Sequence, residues 1–163
     1  MFRCLRPGLI EIQPGEVHGW QLAEARSKAT HDHFFACIND AWLNLPEELA
    51  DDFPSAEHLR KWALIKAGFC TMTTVVCATN ADALTLAARA RELDRYAMAE
   101  VVADEKSPLK SRRIVRIWTA DSQRRDAMGR KVFQEAKERA LQAVSELIGT
   151  DITTLRKEAG NGA

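Results

Sequence analysis

Apolar residues at Phe34, Phe35, Ile38, Ala41, Trp42 and Leu45 recur at helical spacing, which predicts a helix over 30–44 with a wide apolar face. Thr30 suits its N-cap, Asp32 suits the positive end of its dipole, and Pro46 ends it or opens the next turn. A second helix opens at Ser55-Ala56-Glu57-His58 and carries Leu59, Trp62, Ala63 and Ile65, with Gly68 as its stop. Cys70 to Cys77 is rich in β-branched residues and reads as a strand. Asn80 or Asp82 caps a third helix to about Arg91, with Leu84, Ala87, Ala88 and Leu93 inward. Tyr96 to Ala103 reads as a strand, and Arg113 to Thr119 alternates charged and apolar residues as another. Asp121 or Ser122 starts the longest helix, which runs to about Ile148 with Gly149 as C-cap. Its stripe holds Met128, Val132, Ala136, Ala140, Val144, Leu147 and Ile148, broadened by Phe133 and Leu141. Ahead of all this, Leu9-Ile10-Glu11-Ile12 lies between Pro7-Gly8 and Pro14-Gly15 and suggests a short strand. Residues 16–26 fit a helix or an extended arm.

Strands mixed with helices in no regular alternation favour an α+β fold. The expectation is a small, mostly antiparallel sheet covered by three main helices near residues 31–44, 55–67 and 122–148. At 163 residues the chain reads as one globular domain, 1–163, with a tail that frays from about residue 158. No apolar run approaches the ~20 residues of a membrane span, and the N-terminus breaks before a signal core forms. A cytoplasmic location is therefore expected. Cys4, Cys37, Cys70 and Cys77 are scattered without a C-x-x-C pair and read as free thiols.

Candidate chemistry is sparse. His33 and Cys37, four apart, share a helix face, and His31 precedes them; a metal site there would need ligands from Cys70, Cys77 or His58. The spacing matches no recognised zinc pattern, so a polar helix start with a buried thiol is the reading taken. A thiol–imidazole pair of Cys37 and His33 is set aside because Phe34, Phe35 and Ile38 surround the thiol. The carboxylates Glu47, Glu48, Asp51 and Asp52, and Asp104 with Glu105, occur where turns are expected. Neither G-x-x-x-x-G-K-[ST] nor G-x-G-x-x-G is present, which argues against phosphotransfer and dinucleotide chemistry. No metal or cofactor is expected.

Charge adds one local signal. The 23 basic and 23 acidic residues cancel over the whole chain. Between Lys106 and Arg139, however, eleven basic residues face four acidic ones. Arg113 and Arg116 sit on a strand with Trp118 nearby, and Arg124, Arg125, Arg130 and Lys131 follow. Such a patch suits phosphates, and an exposed aromatic suits bases. The competing reading is a solvated helix face paired with Asp126, Glu135 and Glu138. Trp20, Trp42, Trp62 and Trp118 suit an interface, but three of the four sit on apolar stripes and read as core; a broad apolar face on the last helix would suit a homodimer.

The pattern His31-x-x-Phe34-Phe35-Ala36-x-Ile38-Asn39 resembles the opening helix of a phage- and prophage-encoded family of uncharacterised domains. Leu59-Arg60-Lys61-Trp62-Ala63-Leu64-Ile65-Lys66-Ala67-Gly68-Phe69 is similar to that family's second helix, and Ser122, Met128 and Phe133 to its late serine-methionine-phenylalanine spacing. The order of elements is also similar to the phage NinB (Orf) recombination proteins, whose Arg-Ser step corresponds to Arg26-Ser27 here. The chain departs from them in an added strand-helix-strand unit over 71–103 and in Ala29 to His31 where they carry a glutamine. The resemblance implies a non-catalytic accessory of phage DNA recombination or replication in a bacterial host, binding single-stranded DNA as a homodimer. Arg113, Arg116, Arg124, Arg125, Arg130 and Lys131 would neutralise phosphates, with Arg26 and Lys28 extending the track. The alternatives are a protein–protein adaptor acting on a phage or host replication or recombination protein, and a metal-dependent nuclease.

Overall fold

The computed structural model describes residues 28–124, 127–151 and 154. The expectations for Leu9–Ile12, for residues 16–26 and for the tail from 155 lie outside them. The architecture is α+β, with five helices and a three-stranded antiparallel sheet among the described residues. The elements run α1 (Lys28–Leu43), α2 (Glu47–Ala50), α3 (Ala56–Lys66), β1 (Cys70–Cys77), α4 (Asn80–Leu93), β2 (Met98–Ala103), β3 (Arg113–Ala120) and α5 (Arg130–Ile148). No helix among the described residues is long and apolar enough to cross a membrane.

Local chemistry sets most boundaries. The Ser55 hydroxyl accepts the His58 N–H at the start of α3. The same helix ends in a Schellman turn. Gly68 adopts φ +85° while its N–H bonds the Ile65 carbonyl and the Phe69 N–H bonds that of Leu64. For α4 the cap is Thr79, one residue ahead of the expected Asn80; its hydroxyl accepts the Asp82 N–H at 3.1 Å and donates to the Asp82 carboxylate at 2.7 Å. Gly149, with φ +66°, closes α5. On the N-terminal side, α1 begins two residues ahead of the expected cap, Thr30.

The long helix starts at Arg130, not at Asp121 or Ser122. The Asp121 N–H donates to the Phe69 carbonyl, so this backbone still belongs to the strand ladder. The Gln123 amide oxygen then accepts from Arg60 on α3, and the N–H groups of Ala127 and Met128 both fold back to the Arg124 carbonyl. Met128 is buried ahead of the helix rather than on it.

The sheet order is β1-β3-β2, with continuous registers Cys70↔Ala120 to Cys77↔Arg113 and Met98↔Trp118 to Ala103↔Arg113. Two cores result. In the larger one α1, α3 and α5 close over Phe34, Ile38, Leu59, Leu64, Phe133 and Leu141, with the Phe34 ring edge-on to Phe133. Trp42 donates its indole N–H to the Phe53 carbonyl at 2.7 Å, and Phe53 meets Trp62 edge-on. In the smaller core α4 lays Ala83, Leu86 and Ala87 on Val75, Val101, Val115 and Ile117. Small alanines let this helix approach a β-branched sheet closely. Leu84, Ala88 and Leu93, expected inward, instead face solvent, with Leu93 90% exposed. Leu84 and Ala88 lie off the arc that Ala83, Leu86 and Ala87 define, whereas Leu93, seven residues beyond Leu86, is the last residue of α4. Val132 on α5 is likewise exposed, one step off the arc of Phe133, Ala136 and Ala140.

Candidate functional site

Side chains alternate across a strand, so each strand of this sheet divides between two faces. On β3, Val115 and Ile117 point to the back, where α4 covers them. Ile114, Arg116 and Trp118 therefore point to the front. The registers extend that front into three rows: Met72–Trp118–Met98, Thr74–Arg116–Glu100 and Val76–Ile114–Val102. Six of these nine residues are apolar. An antiparallel sheet with one solvated face ordinarily alternates apolar and polar; here both faces are apolar. Among the described residues neither core includes Met72, Trp118, Met98, Val76, Ile114 or Val102, although α3 does contact β3. Met72 is 55% and Val76 49% exposed. The front ends where Ala120, in phase with Trp118, packs on the helical core. Just ahead of β2, the Tyr96 ring meets His58 of α3 at 4.8 Å.

At the centre of the face the Arg116 guanidinium stands 3.5 Å from the Glu100 carboxylate. Both are well exposed, so the pair contributes little stability and leaves the face nearly neutral.

The sequence-predicted basic residues occupy several places. Arg113 lies on the back of the sheet, where it donates to the Asn80 side chain at 3.1 Å and to the Lys110 carbonyl at 2.8 Å. Arg116 lies on the front. Arg124, Arg130 and Lys131 are exposed around the start of α5, beyond the far end of β3 from Arg113. At about 3.3 Å per residue, β3 alone puts ~23 Å between Arg113 and Ala120. Lys28 is the first residue of α1, its side chain outside the described part, and Arg26 and Arg125 lie outside the described residues. Strand parity thus separates Arg113 from Arg116, and strand length separates Arg113 from the α5 group.

The other candidates are structural in setting. Cys37 is fully buried, with the His33 imidazole 3.5 Å from its sulfur. His31 packs against Phe35 and Phe133. Glu47, Glu48, Asp51 and Asp52 are exposed, and Asp104 pairs with Arg112 at 3.4 Å. Among the described residues no group of three or more His, Cys, Asp or Glu side chains could hold a metal ion.

Titration behaviour is shifted around the seam of helices and sheet. Burial works to raise the Glu57 carboxyl, but the hydrogen bond and charge of Arg60, helped by Lys61 and His58, outweigh it and hold the group below its ordinary value. Burial, then the charge of Arg60, lowers the Lys61 ammonium against the pull of Glu57, Asp94 and Asp121. Burial, with Asp121 adding to it, raises the Cys70 thiol.

Comparison of the chain with protein-family models, with curated proteins and with solved structures gave no match. The functional reading therefore rests on its own residues. The front-face residues Met72, Val76, Met98, Val102 and Ile114 were not singled out from the sequence. The signal was there in part: Met72 and Val76 share a parity on β1, as Ile114 and Trp118 do on β3, but pairing them requires the register.

Proposed function

We propose that the protein is an adaptor without catalytic chemistry, and that the front of its sheet docks a partner protein through an apolar helix or strand surface. One observation carries this reading: the Met72–Trp118–Met98 row and the Val76–Ile114–Val102 row are apolar ground outside both cores, with Met72 and Val76 exposed and the other four half-buried, flanking a single ion pair. Large exposed apolar patches on a folded domain mark interaction sites, and Trp, Met and Arg are the residue types enriched at them. The back of the same sheet illustrates the chemistry of the occupant. There Val75, Val101, Val115 and Ile117 accept one face of a helix. An amphipathic helix of about three turns matches the front in width and length, since sheet strands are about 4.8 Å apart. A partner of phage or host replication or recombination machinery is the class that the resemblance suggests.

The test is affinity capture followed by titration of the purified partner against the wild type, Trp118→Ala and Met72→Glu. Binding weakened at least tenfold by both substitutions, with the fold intact by circular dichroism, supports the reading. Binding that ignores both substitutions overturns it.

Single-stranded DNA binding, as a phage-derived accessory of recombination or replication, is the second reading. It is favoured by Arg124, Arg130 and Lys131, which stand exposed at an α5 start that has no acidic residue in its first turn. The front face argues less for it, because phosphate neutralisation dominates such binding and Glu100 offsets Arg116 there. Fluorescence anisotropy with labelled oligonucleotides across a salt series decides between the two. Salt-sensitive binding lost in Arg130→Gln with Lys131→Gln supports DNA; none at low ionic strength removes it.

A further inference from the structure

We infer that the free edge of β1 is an interface between two copies of this chain, joined as antiparallel strands into one six-stranded sheet. The two edges of the sheet differ. The bond from the Asp121 N–H to the Phe69 carbonyl continues the β1–β3 ladder and sets its phase. Thr71, Thr73, Val75 and Cys77 therefore exchange bonds with β3, and the backbone groups of Met72, Thr74 and Val76 point away from the sheet. No described residue bonds those outward groups. On the other edge the Asp104 N–H bonds the Arg112 carbonyl, so Ala99 and Val101 point outward. There Arg91 reaches across from α4 and donates to the Ala99 carbonyl at 2.8 Å.

Folded proteins protect a bare edge with charge, proline, a bulge or a very short strand. β1 has none of these. It runs eight residues, Cys-Thr-Met-Thr-Thr-Val-Val-Cys, in an unbroken register. Thr71 to Thr74 are exposed on both faces, because α4 lies chiefly beneath β2 and β3. The α5 stripe, by contrast, is buried within its own chain against α1 and α3.

The occupant favoured is a second copy. An uncharged strand in a chain of zero formal net charge meets no repulsion from its own image. Outward residues must pair with outward residues, which restricts the register. A two-fold axis through Thr74 sets Thr74 opposite Thr74 and Met72 opposite Val76, pairing like with like. The axis is perpendicular to the sheet, so both front faces point the same way and both α4 helices lie behind. The order becomes β2-β3-β1-β1-β3-β2, with the apolar front doubled. This pairing does not depend on what docks on that front.

Sedimentation velocity of the full chain over a concentration series tests it, with hydrogen exchange read at the individual strand edges. The expected result is a concentration-dependent shift from 18.2 kDa to twice that mass. The amides of Met72, Thr74 and Val76 should gain at least tenfold protection with concentration while those of Ala99 and Val101 do not. Thr74→Pro removes only an outward N–H, and Thr74→Lys sets like charges together on the axis. Each should remain monomeric tenfold above the wild-type midpoint with unchanged circular dichroism. A chain monomeric throughout overturns the inference, as does a dimer that survives both substitutions. Trp118→Ala leaves the edge intact and should dimerise as the wild type does, which separates this interface from the docking face.

Discussion

Arg60 is the side chain through which the helical core is tied to the segment leaving the sheet, and its replacement by methionine gives the sharpest test of the fold. The residue is 7% exposed. Its Nε and Nη2 donate to the two oxygens of Glu57 at 2.7 and 2.5 Å, its Nη1 donates to the Gln123 amide oxygen, and its guanidinium stands 5.0 Å from the Phe35 ring centroid. Methionine keeps most of the aliphatic stem, so the loss is chiefly polar. Breaking a fully buried pair costs about 3–5 kcal/mol, and an exposed one is worth about 0–1. Here the guanidinium is buried while the carboxylate is 36% exposed, which places the pair between them, at about 2 kcal/mol. The Gln123 oxygen loses its donor for about 1 kcal/mol more. Arg60→Met should then lose about 3 kcal/mol and, at about 2–4 °C per kcal/mol for a chain of this size, about 6–12 °C in Tm. The pH dependence follows from Glu57. A carboxyl held below its ordinary value stabilises the fold above that value, and the contribution disappears as pH falls through the lowered one. Urea unfolding should therefore show the gap between wild type and Arg60→Met narrowing from pH 7 to about pH 3, where the Gln123 share remains. A loss under about 0.5 kcal/mol at pH 7, or a gap that is the same in acid, would refute this account.

Three further outcomes are expected. Phe133→Ala removes a ring that packs edge-on to Phe34 and alongside His31, and should cost about 3–5 kcal/mol by urea unfolding. Gly149→Ala should cost about 1 kcal/mol, all of it from the left-handed backbone at φ +66°, since an added Cβ meets nothing within 4 Å; a stability equal to wild type would contradict that. The Cys70 thiol, raised by burial and then by Asp121, should alkylate with a midpoint above the usual thiol range, and Asp121→Asn should lower that midpoint. The sign for stability is opposite to that of Glu57. The contribution is complete below the ordinary thiol value and declines as pH rises through the raised one.

Where the sequence could be read, it was read through local chemistry. Ser55 before Ala56-Glu57-His58, the β-branched run from Cys70 to Cys77, and Gly68 and Gly149 as helix stops all carry their own physical signature. What could not be read depends on partners distant in the chain. The start of α5 is delayed to Arg130 because Phe69 holds Asp121 and Arg60 holds Gln123, and no window around 121 contains either partner. Leu84 and Leu93 satisfy a helical period, yet α4 presents alanines to the sheet because the sheet supplies the bulk. The basic segment from Lys106 to Arg139 was legible as composition. Its division was not, since it follows from strand parity, which puts Arg113 behind the sheet and Arg116 in front, and from the length of β3.

The front face is best understood by asking what folding requires of it. A sheet needs one apolar face to join a core, and the back of this one meets that need through α4. The apolar rows on the front lie outside that core, and their exposed members Met72 and Val76 carry a standing risk of association. Placing a charge at Met72 should therefore change stability by less than about 0.5 kcal/mol, the range of ordinary surface substitutions. Val115, on the back of the neighbouring strand and fully buried, should by contrast cost about 2–3 kcal/mol when cut to alanine. The contrast between two apolar residues on adjacent strands, one needed for the fold and one not, is the physical case for a surface kept for binding. If Met72→Lys instead destabilises as Val115→Ala does, the front is part of the core after all, and the docking reading loses its foundation.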